Sequence, residues 1–343
     1  MTQEIGVGLV GYGLGGRAFH APYIGITPGM TLRAVVSGDA AKVQRDLPGM
    51  RVVPSIEDLL DLPSIDLVVI SSPDALHAPH ASAAIAAGKH VVIDKPFATT
   101  LSDARRVAAE AAAQQRIATV FHNRRWDADF RTLRHLIETG MLGDIISLES
   151  RFDRWRPVAA DIWKEARDGG AWMDLGPHLV DQALVLFGRP VAVTADIATM
   201  RDGAPAPDYF HAVLRYSRHR VILHSSKLSA AHDLRFMVHG NAGSWIKHGV
   251  DPQEAATVAG AVPGGQDWGV DRTDGILTRA GDDGLSSAPF PNERGDYRLF
   301  WQGLAAAIRD GAPNPVPIDG AIAVMEVLDA GLRSSAERRE IPL

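Results

Sequence analysis

Two short stretches bring together residues that chemistry can use. Val91-Val92-Ile93-Asp94-Lys95-Pro96 presents an acid, a lysine and a proline at the end of a branched apolar run. Such a run reads as a short buried strand, and the proline cannot continue a hydrogen-bonded ladder. The lysine has two readings: a solvated cation at a strand end, or an ammonium whose pKa desolvation lowers into a catalytic range. In the second stretch, Asp174, His178 and Asp181 are spaced i, i+4, i+7, which places all three on one helix face. Gly176-Pro177 is expected to fix the start of that helix. Three chemistries fit: bracing of a helix end, a metal held by one histidine and two carboxylates, or a proton relay. In the relay His178 is the general base, because an imidazole titrates near working pH. Asp174 then holds a substrate hydroxyl or orients the histidine.

The elements that must position these groups follow from periodicity. Ile5-Gly6-Val7-Gly8-Leu9-Val10 is a strand running into Gly11-Tyr12-Gly13-Leu14-Gly15-Gly16, which satisfies G-x-G-x-x-G through Gly11, Gly13 and Gly16. Glycines there permit a tight turn, close approach of a pyrophosphate and close strand–helix packing. The N-terminus of the next helix faces the phosphates. His20, in Phe19-His20-Ala21-Pro22, is read as structural. The second strand, Leu32 to Val36, ends in Ser37-Gly38, with Asp39 two positions late and Lys42 close behind. A strand-end acid would bind a ribose hydroxyl, whereas a small hydroxyl followed by a cation suits a 2′-phosphate. Ser37 and Lys42 therefore point to NADP, with NAD possible through Asp39.

The alternation continues through a helix capped by Ser55 and a strand, Asp66 to Ile70, that ends in Ser71-Ser72-Pro73-Asp74-Ala75-Leu76-His77. Ligands of open parallel sheets sit beyond the carboxyl ends of strands, so Ser72, Pro73, His77, Lys95 and Pro96 are expected beside the cofactor. His80 is read as ordinary. A helix from Ser102 to Gln114 and a strand from Ile117 to Phe121 close this half. Strands and helices in alternation specify a doubly wound parallel sheet over residues 1–121.

Residues 122–343 have a different texture. A polar cluster, His122 to Asp127, precedes a helix (Asp129 to Thr139) and an alternating strand (Ile145 to Phe152). Four more strand-like runs follow, Val191 to Ala198, Tyr209 to Tyr216, Val221 to Ser226 and Leu234 to His239, with long loops expected at Gly264-Gly265 and Gly281 to Gly284. The last helices are expected at 297–309 and 319–338. This reads as an α+β domain with an open, mostly antiparallel sheet, helices on one side, which binds substrate. Arg124, Trp155 and Tyr209 are candidates for its substrate wall, each with a packing explanation as well.

The bulk properties set bounds. A chain of 343 residues splits into roughly two units. A hydrophobic share of 46% with 22% charged residues is globular composition. The net charge of -6 offers no basic face for nucleic acid or an anionic membrane. Without cysteine there is no disulfide, thiolate site or cysteine nucleophile, which fits a cytoplasmic protein. Met1-Thr2-Gln3-Glu4 lacks a basic n-region, so no signal peptide is expected, and no apolar stretch is long enough to cross a bilayer.

The ordered set of glycine turn, Asp94-Lys95-Pro96 and Asp174-x-Gly176-x-His178-x-x-Asp181 resembles the glucose–fructose oxidoreductase / inositol dehydrogenase (Gfo/Idh/MocA) family over essentially the whole chain. Further runs resemble its NADP-dependent scyllo-inositol dehydrogenase branch: Phe19-His20-Ala21-Pro22, His122 to Asp127, Arg156-Pro157 to Trp163, Asp208-Tyr209-Phe210-His211 and Gly249 to Glu254. The resemblance implies that Lys95, Asp174 and His178 are a catalytic trio, moving hydride between a nicotinamide and a secondary alcohol of a polyol or sugar, most specifically an inositol. An aldose or cyclic-diol dehydrogenase of the same fold, or a non-catalytic dinucleotide-binding regulator, are the alternatives; a sensor needs none of the trio. No metal is expected, since a nicotinamide cofactor removes the need for a Lewis acid. By analogy the chain forms a homodimer or homotetramer. Asp94 departs from the family's usual glutamate, and Ala171 replaces the third glycine of a Gly-Gly-Gly run.

Overall fold

The computed structural model describes residues 4–160, 163–281 and 284–343. The start of the chain, part of the Arg156 to Trp163 stretch and the centre of the Gly281 to Gly284 run lie outside the described residues. Packing divides the chain into two units: Met1–Asn123 with Gln253–Trp268 and Asp296–Ile322, and Arg124–Pro252 with Gly269–Gly295 and Ala323–Leu343. The first break falls two residues past the 121/122 boundary read from sequence. The two later returns to the first unit have no signature in the sequence. Aromatic packing draws them in: the Tyr23 ring lies 6.3 Å from Trp268 and 6.1 Å from Tyr297, and Phe121 lies 4.9 Å from Phe300.

In the first unit, β1 (Ile5–Val10), β2 (Met30–Val36), β3 (Arg51–Val53), β4 (Leu67–Ile70), β5 (His90–Ile93) and β6 (Ala118–Val120) form one sheet in the order β3-β2-β1-β4-β5-β6. Every pairing is parallel. The strand order reverses between β1 and β4, and the crevice beyond their carboxyl ends is where such sheets bind ligands. β4 is buried along its whole length, the continuous apolar pattern of a strand covered on both faces. After the glycine turn the chain makes a π-helical turn, Gly15–His20, before α1 (Ala21–Ile26). The covering helices are α2 (Ala40–Asp46), α3 (Ile56–Leu60), α4 (His77–Ala86) and α5 (Leu101–Ala113). Ser55 does cap α3 by accepting the Asp58 N–H. α5 starts one residue earlier than expected, because Thr100, with its extended backbone, accepts the Asp103 N–H in place of Ser102.

The second unit holds a nine-stranded sheet. Its strands are β7 (Ile145–Arg151), β8 (Ala192–Ala198), β9 (Tyr209–Arg215), β10 (Arg220–Ser226), β11 (Leu234–Gly240), β12 (Gly243–His248), β13 (Gly275–Gly281), β14 (Gly284–Phe290) and β15 (Ile341–Pro342). The order is β14-β13-β12-β11-β7-β10-β9-β8-β15, antiparallel throughout except for the central β7–β10 pair. Gly281 and Gly284 are thus paired ends of two antiparallel strands, where the sequence suggests a long loop. These strands alternate weakly, and β14 lies at an exposed sheet edge, so neither has the apolar stripe that marks a strand in sequence.

α6 (Ala128–Glu138) precedes this sheet, and α7 (Gly170–Phe187) packs on it. α8 (Gln253–Val258), α9 (Arg298–Asp310) and α10 (Ile318–Glu337) complete the chain. α7 begins at Gly170 and carries Pro177 in its interior, so Gly176-Pro177 does not open the helix. Two facts make this possible. Gly169 and Gly170 both have positive φ, and a Cβ on Gly170 would lie 1.9 Å from the Pro207 carbonyl oxygen, which accepts the Ala171 N–H at 2.7 Å. Gly176 also lacks the Cβ that ordinarily keeps a residue before proline out of helical conformation. The helix is then held by burial: Trp172 meets the Phe210 ring edge-on at 5.0 Å and donates Nε1–H to the Leu328 carbonyl.

Candidate active site

The glycine turn is closed at two positions and open at one. A Cβ on Gly11, where φ is +96°, would lie 2.4 Å from the Ser71 carbonyl oxygen, and one on Gly16 would lie 2.2 Å from the Gly11 oxygen. A Cβ on Gly13 would meet nothing within 4 Å. Gly11 and Gly16 therefore serve the fold, while Gly13 leaves an exposed backbone surface of the kind that a pyrophosphate approaches. Leu14 is exposed beside it, and Tyr12 turns its ring into the interior. Burial, then the charge of Asp46, raises the Tyr12 phenol above its ordinary value, against the pull of Arg17.

At the end of β2 the charges sort themselves. Asp39 caps α2 by accepting the Lys42 N–H at 2.9 Å, and its own N–H is held by Ser37 Oγ. Lys42 Nζ donates to the Tyr12 carbonyl at 3.0 Å, so its ammonium lies against the glycine turn. The residues present fit a dinucleotide.

The end of β5 is tied to the same turn. Asp94 Oδ2 accepts from Ser71 Oγ at 3.1 Å and from His20 Nε2 at 3.3 Å, while Oδ1 accepts the Lys95 N–H at 2.9 Å. A Cβ on Gly15 would come within 2.8 Å of Asp94 Oδ2. Burial works to raise the Asp94 pKa, but the hydrogen bond and charge of His20, with His77 and Lys95, hold it well below the usual carboxylate range. Lys95 is half-buried, and the Lys95–Pro96 peptide is cis. His77 is buried, with Nδ1 2.7 Å from the Pro96 carbonyl and Nε2 2.9 Å from that of Ser72. Both ring nitrogens face backbone, so His77 braces two loops rather than reaching a cofactor. Ser72 is half-buried and Pro73 exposed, and Ser72 Oγ lies 3.1 Å from His80 Nδ1.

In the second unit α7 presents Asp174 and His178. Asp174 is partly exposed and ion-paired with Arg167 Nη1 at 2.5 Å. His178 is buried, its ring edge-on to Phe152 at 6.4 Å. Asp181 is buried as well but takes a bidentate pair from Arg125, which removes it from any common function with the other two. Beneath the helix lies a charged layer. Arg235 is fully buried, donates to Asp129, Ser150 and Gln182 of α7, and stacks 4.1 Å from the Phe152 ring. Arg124 covers Phe152 at 4.7 Å and pairs with Asp127 at 3.1 Å.

Arg124 is thus a support of the layer under His178, and the substrate-wall reading gives way to its packing explanation. Tyr209 is a second correction. Phe210 faces α7, and strand alternation turns Tyr209 to the other side of the sheet, edge-on to His224 at 5.4 Å. It cannot line a wall around the α7 residues of its own unit. Trp155 is half-exposed in an isolated bridge with Leu228.

Arg167 was missed in the sequence. Two residues before it, Glu165 is gripped by Arg201 and Lys227 at 2.6 and 2.8 Å, while Arg201 is held by Asp208 at 2.7 Å. None of these spacings is periodic. The one available signal was Asp208 in a run already singled out. The other such runs are joints too: Asp251 accepts the Ala128 N–H that opens α6, and Gln253 Oε1 accepts from Trp268 Nε1 and the Tyr297 N–H.

A parallel sheet with a glycine turn at its switch point, followed by an open-sheet unit bearing an Asp/His helix, defines a dinucleotide-binding oxidoreductase. The chain belongs to the Gfo/Idh/MocA oxidoreductase family: the family's NAD-binding Rossmann fold matches residues 5–122 and its C-terminal alpha/beta domain matches residues 134–343. It is 45% identical to the uncharacterised oxidoreductase YdgJ of Escherichia coli, covering 100% of both chains. It is 37% identical to scyllo-inositol 2-dehydrogenase (NADP(+)) IolW of Bacillus subtilis, over 100% of this chain and 97% of that one. Among solved structures, YPO2259 of Yersinia pestis superposes with a TM-score of 0.96 at 47% identity, covering 100% of this chain and 98% of that one.

Proposed function

We propose that this oxidoreductase is an NADP-dependent polyol dehydrogenase acting on a secondary alcohol, with scyllo-inositol and its ketone as the substrate pair. The observation that carries the reading is the attachment of Lys95 to the glycine turn through Asp94. It ties the backbone of Lys95 to the glycine turn. The name of the IolW relative supports both the substrate class and NADP. The cofactor preference also rests on Asp39 being engaged as a helix cap and Lys42 lying against the turn.

Three side chains divide the work. His178 removes the proton of the reacting hydroxyl, the general-base role that histidine fills most often. Lys95 donates to the same oxygen and stabilises the negative charge that develops on it, which a fixed donor does without reorganising. Asp174, ion-paired with Arg167, accepts a hydrogen bond from a neighbouring hydroxyl. A bound nicotinamide supplies the hydride acceptor.

The test is nicotinamide absorbance with NADP, then NAD, across scyllo-inositol, myo-inositol and several aldoses. Lys95→Ala is expected to lower turnover on the order of a hundredfold to a thousandfold, the effect of deleting one oxyanion donor, with cofactor affinity nearly unchanged. Comparable turnover in the variant would sink the mechanism. NADP binding without turnover on any polyol would refute the substrate class.

A further inference from the structure

We propose that His20 is a positioning residue for Lys95, acting through the carboxylate of Asp94. The inference rests on the role given to Lys95 above and deepens it. His20 is fully buried, its ring 4.6 Å from Phe121 and 5.7 Å from Trp301. Nε2 reaches Asp94 Oδ2, and among the described residues Nδ1 has no hydrogen-bonding partner. An ionised carboxylate can only accept, so Nε2 carries the proton in this pair. The buried ring therefore aims the Nε2 proton at one oxygen.

At that oxygen two other segments meet the end of β5. Ser71 Oγ comes from the end of β4, His20 from the helical turn after the glycines, and Gly15 packs against both Ser71 Oγ and Asp94 Oδ2. The other oxygen of the same carboxylate holds the Lys95 N–H. Asp94 is a rigid coupling between the cofactor turn and the backbone that carries the ammonium, and His20 supplies a donor that keeps it in one rotamer. The short acid suits this arrangement. A glutamate at this position would carry its carboxylate one methylene further, into space occupied by Gly15, Ser71 and His20.

The experiment compares wild type, His20→Leu and His20→Gln. The first removes the donor while keeping an apolar side chain of similar volume; the second restores an N–H. Each is measured by steady-state kinetics with NADP and scyllo-inositol, by the carbon-13 titration of the Asp94 carboxyl, and by thermal unfolding. The charged or titratable groups facing Asp94 are His20, His77 and Lys95, and only the first is altered. His20→Leu is expected to lower kcat roughly tenfold to a hundredfold, the range of a hydrogen bond to a charged group, with KM for the polyol little changed. The Asp94 midpoint should move up. His20→Gln should recover most of both effects. A merely space-filling His20 gives a different pattern: Leu and Gln equally impaired, with the Asp94 midpoint unmoved. That result, or unchanged kcat in His20→Leu, overturns the proposal. If the wild type oxidises no polyol, the substrate reading fails, and the Asp94 titration still decides the role of His20.

Discussion

The three glycines of the turn make a separable prediction, because the structure assigns them different jobs. Alanine at Gly11 forces a side chain into the left-handed region, which costs about 1–2 kcal/mol. It also sets a methyl 2.4 Å from a backbone carbonyl, and relieving such an overlap costs typically about 1–3 kcal/mol. The sum is a loss of roughly 2–5 kcal/mol, or at least ~4 °C in melting temperature for a unit of this size. Gly16→Ala meets a carbonyl at 2.2 Å without the dihedral penalty, so it should lose about 1–3 kcal/mol. Gly13→Ala faces open space at an ordinary φ. It should leave stability unchanged or raise it by up to ~1 kcal/mol, through the entropy of the unfolded chain. The same methyl occupies the surface where a pyrophosphate would pass, and the same overlap range translates to roughly tenfold to a hundredfold weaker NADP binding. Urea unfolding without cofactor gives the stabilities, and fluorescence titration with NADPH gives the affinities. If Gly13→Ala binds NADPH like the wild type, the cofactor does not cross this turn as proposed. If Gly11→Ala is as stable as the wild type, the contact argument fails by itself.

Two other outcomes are expected. Arg235→Leu removes the fully buried partner of Asp129, which is itself fully buried, and leaves an uncompensated charge under α7. A loss of about 3–5 kcal/mol should follow, read by urea unfolding; a change below ~1 kcal/mol would refute the account of the charged layer. The second concerns acid. For Asp208, burial opposes but Arg201 and backbone N–H groups prevail, holding the carboxyl below its ordinary value; Asp153 is likewise held down by His224 and Arg151. A depressed folded pKa means that this stabilisation is complete above the unfolded value of about 4 and is lost as pH falls through the folded value. Asp208→Asn should therefore lower stability at pH 7 yet reduce the further loss between pH 5 and pH 3, measured as urea midpoints. An unchanged acid slope would show that the Arg201 pair does not set it.

The sequence by itself determined whatever is local in its physics. Apolar runs of β1, β4 and β5, glycines spaced for one turn, and a helix-period triplet on α7 are read from neighbours a few residues apart, and they located the parallel sheet and the chemical residues. Tertiary structure decided which of those residues share a function. Asp174, His178 and Asp181 have one spacing, but Arg125 arrives from 56 residues away to claim Asp181. Tyr209 and Phe210 are adjacent, and only the packing of Trp172 shows which one faces α7. His20 and Asp94 stand 74 positions apart and meet because β4, with β5 on its far side, pairs with β1 in a sheet whose order is not that of the chain. Hydrogen bonds and ion pairs of this kind depend on positions within an ångström. A linear pattern carries periodicity, and periodicity says which way a side chain points, not what it will find there.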